Sequence, residues 1–70
     1  MDNLLQRVQL KVNGANIHDV NGIIGVYKAS KELAKDEFGK KYLAWSKAIL
    51  AEFADTGDIK QAKINQGRLK

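Results

Sequence analysis

The chain has 70 residues, no cysteine, no proline, a single histidine and a formal net charge of +4, which excludes disulfide staples and thiolate metal sites. A chain of this length buries only about 60% of the surface its unfolded form exposes, so self-association or a target surface is an expected source of stability. No apolar run approaches the roughly 18 residues of a membrane helix. Residues 1–5 also lack the basic start and apolar core of a signal peptide, and a soluble, cytoplasmic single domain over residues 1–70 is expected.

Residues 1–15 make an N-terminal element with two readings. As a helix, Leu4, Leu5, Val8 and Val12 share a face, Asp2 or Asn3 caps the start and Asn13-Gly14 stops it. As a strand, Val8, Leu10 and Val12 alternate with Arg7, Gln9 and Lys11, and Asn13-Gly14 becomes a hairpin turn. Residues 15–20 offer no alternating partner strand, so helix is the preferred reading.

Asn16 reads as the cap of a second helix, with Asp19 near the positive end of its dipole. A later start near Asn21 is the alternative, because Gly22 and Gly25 each cost about 1 kcal/mol relative to alanine inside a helix. From 23 to 38 the period is firm: Ile23, Val26, Tyr27, Ser30, Leu33, Ala34 and Phe38 line one face. Lys28, Lys31 and Lys35 line a flank beside it. Gly39 is then expected as the left-handed residue that closes this helix, unless one long helix runs straight through it.

Residues 39–53 carry the strongest pattern in the chain. On a helical wheel Trp45, Ile49, Tyr42, Phe53, Ser46, Leu50 and Leu43 span an arc of about 160°, against roughly 100° for an ordinary surface helix. So broad an arc predicts a central helix covered from two directions. Gly57 and Asp58 then read as a stop and a new cap, with Gln61 placed as in a capping box. Residues 59–70 form a basic C-terminal helix or tail: Lys60, Lys63, Arg68 and Lys70 meet no acid there and account for the whole charge excess.

Few residues suit catalysis or metal binding. His18 is the lone histidine, and its neighbour Asp19 points about 100° away on a helix, so it cannot orient the ring as a triad aspartate does. One histidine without cysteine makes a poor zinc site. The Gly22-Ile-Ile-Gly25 segment has the outline of a GXXG backbone clamp but lacks the surrounding sheet. As a phosphate loop it fails, because Lys28 does not follow the second glycine. Residues 30–39 look like the scanning helix of a helix-turn-helix. The next helix, however, offers lysines and alanines to a groove, with no Arg, Asn or Gln to read bases.

The composition and patterning therefore predict an all-α bundle of three to four short helices, without catalytic residues, cofactor or metal. The leading expectation is a non-enzymatic binding module acting by protein–protein contact, as a homo-oligomer or as the regulator of a larger partner. Its interface would be Tyr42, Trp45, Ile49, Leu50 and Phe53, because aromatic residues are enriched at interfaces. The alternative is non-specific binding of DNA or RNA through Lys28, Lys31, Lys35, Lys60, Lys63, Arg68 and Lys70, with steep salt dependence.

Overall fold

The computed structural model describes residues 3–66. Within them the chain is all-α, without strands: α1 (Asn3–Leu10), α2 (Ile17–Glu32), α3 (Glu37–Thr56) and α4 (Ile59–Asn65). Residues 4–11 are helix and turn, and Val12 is irregular; none of them is strand. Asn3 lies inside α1, and the other proposed cap, Asp2, lies outside the described residues. Gly14 takes φ 81° in the turn that follows, a left-handed conformation that glycine adopts without a Cβ penalty.

Three of the helix starts are capped. Asn16 accepts hydrogen bonds from the backbone N–H groups of His18 and Asp19 at 3.1 and 3.4 Å, so α2 begins at the earlier of its two candidate starts. Asp36 accepts from Gly39 N–H at 2.7 Å, and Asp58 from Gln61 N–H at 3.0 Å. The expected capping box at Asp58 is only half formed. Gln61 does not reach back, since its amide donates to Asn65 and the Asp58 N–H donates to Thr56 Oγ1. Gly57, at φ 75°, ends α3 and returns its N–H to the Phe53 carbonyl at 2.7 Å.

The boundary between α2 and α3 differs from the sequence expectation. Helix α2 stops at Glu32, with Leu33 as its C-cap, and α3 already starts at Glu37. Gly39 therefore closes nothing; it sits buried in the first turn of α3, without positive φ. The physical reason is twofold. Asp36 provides an N-cap, and only a residue without a side chain fits at 39. A Cβ there would stand 1.8 Å from the Leu33 carbonyl oxygen. The break at 33–36 also excludes one continuous helix.

Helices α2 and α3 fold back on one another, and α1 and α4 each pack on α3. The core is built from Val8 of α1, Val20, Ile23 and Tyr27 of α2, Ile49, Leu50, Phe53 and Ala54 of α3, and Ile59 and Ala62 of α4. Ile49, Leu50 and Phe53 are completely buried, each worth about 1.5–3 kcal/mol by area. The polar contacts of α1 and α4 gather at one end of the α2–α3 pair. Lys63 reaches Asp19 at 3.4 Å, Asn65 donates to Glu52 at 2.8 Å, and Arg7 pairs with Asp55. That end, made by the start of α2 and the finish of α3, is closed. The opposite end, the corner between α2 and α3, is bare.

Candidate interaction surface

The bare corner begins with the chemistry of its turn. The Leu33 N–H donates to the carbonyls of Ala29 and Ser30, finishing α2, while Asp36 starts α3 three residues later. Gly39 lets the two backbones approach closely. On either side of this turn, Leu33 and Phe38 are 62% and 72% exposed. Tyr42, one turn along α3, is 39% exposed, and its ring stacks on Phe38 with centroids 6.5 Å apart and planes at 24°.

These three side chains, with Val26 and Ala29 of α2, surround an open groove of about 310 Å³ that is floored by Ser30 and Gly39. A second groove, of about 410 Å³, lies between the 14–16 turn and the start of α4. Of its polar groups, Asn16 and Asp58 cap helices and Asp19 faces Lys63, while Lys60 is exposed beside them. The first groove differs in that its lining is mostly apolar, with Asp36 as its one charged residue.

The five interface candidates separate. Tyr42 lies on the bare corner. Ile49, Leu50 and Phe53 are core residues with no accessible surface, so as docking residues they are corrected: α1, α2 and α4 already cover them. Trp45 is half-buried against the core, and its indole N–H has no protein acceptor among the described residues. Leu33 and Phe38 were missed because the sequence period runs on through residue 38. That period assigned both to the buried face of α2, whereas Phe38 belongs to α3. The signal for the break was present in Asp36-Glu37, an N-cap followed by an acidic first turn.

Among the described residues the basic candidates do not form one patch. Lys28, Lys31 and Lys35 are exposed on the second half of α2 and in the turn after it. Lys31 Nζ lies 5.2 Å from the centre of the Tyr27 ring. Lys60 is exposed on α4, and Lys63 is held near Asp19 in the first turn of α2. Asp19 and Lys31 are about 18 Å apart along the helix axis at 1.5 Å per residue. Arg68 and Lys70 lie outside the described residues.

His18 is exposed in the first turn of α2. Among the described residues no cluster of three His, Cys, Asp or Glu is placed to hold a metal ion, and no helix is long and apolar enough to cross a membrane. No known family model matches the chain, and no characterised protein or solved structure is significantly similar to it.

Proposed function

We propose that the protein is a small non-enzymatic binding module that acts by protein–protein contact through the bare α2–α3 corner. The observation that carries this reading is the exposure of Leu33, Phe38 and Tyr42 around one apolar groove. Leu10, Ile17 and Ile64 are exposed as well, but none of them lines this groove. Regulation of a larger partner and self-association both fit such a surface. A cytoplasmic setting fits the cysteine-free composition.

The second reading, non-specific nucleic-acid binding, draws on Lys28, Lys35 and Lys60, which are exposed. It lacks a continuous basic surface among the described residues, and we rank it below the first. One experiment separates them: capture from a native extract with wild type and with Phe38→Ser, each with and without nuclease. Protein capture that survives nuclease and is lost with Phe38→Ser is the expected result. Material that disappears with nuclease and ignores Phe38→Ser overturns the first reading.

A further inference from the structure

We infer, resting on the protein-binding reading of the bare corner, that its groove seats one arginine side chain of the partner protein. The guanidinium would lie against the Asp36 carboxylate and the Ser30 hydroxyl, with its stem along the Phe38 and Tyr42 rings.

Ser30 is the polar group on the floor of the groove. It is 5% exposed, and its hydroxyl has no hydrogen-bond partner among the described residues. A serine inside a helix ordinarily returns its hydroxyl to a carbonyl one turn back. The other buried serine, Ser46, does so, donating to the Leu43 carbonyl at 3.2 Å. Among the described residues only the Trp45 indole nitrogen is both sealed off and unpartnered. Ser30 Oγ therefore keeps a sliver of access, and the groove is the space that Ser30 lines. A buried hydroxyl left without a partner is costly, and a polar group seated in the groove would supply one.

Asp36 sets the charge of that group. Its Oδ1 accepts the Gly39 N–H at 2.7 Å, which leaves further acceptor sites on the carboxylate. No cation pairs with it among the described residues. Around the corner Glu32, Asp36 and Glu37 are matched in number by Lys35, Lys40 and Lys41, and Lys40 already leans toward Glu37 at 4.0 Å. The corner thus has no net charge, and position discriminates instead. Of these six groups only Asp36 lines the groove, so the occupant that complements it is a cation.

The rings decide which cation. Phe38 and Tyr42 are stacked at the side of the groove, and aromatic faces attract positive charge. A guanidinium is planar and weakly hydrated, stacks on rings and donates in several directions at once, whereas an ammonium is a compact, strongly hydrated point charge. At about 310 Å³ the groove is at the small end of ligand pockets, which suits one long side chain.

The test is a display library of short random peptides selected on the full chain, with counter-selection on Phe38→Ser. Arginine should be enriched at one position beside apolar residues. A synthetic peptide of the selected sequence should lose about tenfold in affinity when its arginine becomes citrulline, which keeps the shape and removes the charge. The loss should be similar on Asp36→Asn, which keeps the N-cap while removing the charge. Ser30→Ala should weaken binding about threefold, as loss of one neutral hydrogen bond does, without lowering the urea midpoint. All variants are checked for native circular dichroism. A midpoint lowered by Ser30→Ala means that the hydroxyl is used inside the chain, and overturns the inference. Phe38-dependent binders with lysine, acidic or apolar residues in that place, or indifferent to Asp36→Asn, overturn the arginine pocket but leave the binding surface standing. Dimerisation in sedimentation that is abolished by Phe38→Ser overturns it in favour of a second copy. Finding neither a Phe38-dependent binder nor a dimer overturns both the inference and the surface beneath it.

Discussion

The two ends of the α2–α3 pair are built from similar residues and finish in opposite states. At the closed end, Phe53 and Ile49 are fully buried under three other helices, and the boundaries carry capping and ion-pair contacts. At the bare end, Phe38 and Leu33 stay exposed although the backbones approach closely at Gly39. The difference lies in coverage rather than hydrophobicity. Helices α1 and α4 are only 8 and 7 residues long, and their polar contacts fall on Asp19, Glu52 and Asp55. Leu10 of α1, Ile17 at the start of α2 and Ile64 of α4 are also exposed, but of the described exposed apolar side chains only Leu33, Phe38 and Tyr42 line a common groove.

That contrast can be broken most severely at Phe53. Phe53→Ala should cost about 3–5 kcal/mol, enough to unfold much of a domain of this size, read by urea denaturation. An effect under about 1 kcal/mol would mean that the closed end is not the core. Next comes Gly39→Ala, which forces Leu33 away and should cost about 1–3 kcal/mol as overpacking does. Its urea midpoint should fall, and the turn amides should shift in NMR spectra. A neutral result would deny the close approach at the corner. Gly22→Ala and Gly25→Ala should have the opposite sign. Each should raise stability by about 0.5–1 kcal/mol in thermal or urea melts, because the added methyl meets open space and the helix gains propensity. Destabilisation would place unseen packing against α2. The smallest effect is expected at Phe38→Ser, within about 0.5 kcal/mol of wild type. A larger loss would make Phe38 a structural residue and remove the contrast between the ends.

The surface ion pairs sharpen little. Arg7 and Asp55 are 51% and 66% exposed at the side chain, and such pairs contribute about 0–1 kcal/mol. The closing of that end rests on Val8, Ile59 and Ala62, which bring α1 and α4 onto the core.

Much of this was legible in the residues alone, wherever a local rule acted without competition. Asn16 and Asp58 cap because their short side chains reach backbone N–H groups two or three residues on. Gly57 stops α3 because it tolerates a left-handed φ. The broad arc of α3 announced a helix covered from several sides, and Ile49, Leu50 and Phe53 are indeed enclosed. What local pattern could not decide was the corner. Residues 33–38 satisfy a helical period and also contain an N-cap, and the choice between them rests on the closeness of α2 and α3 at Gly39. Which apolar residues remained uncovered depended on where two short helices landed. A helical wheel shows which side chains share a face, but only the packed chain decides which faces run out of partners, because burial is a property of neighbours rather than of sequence.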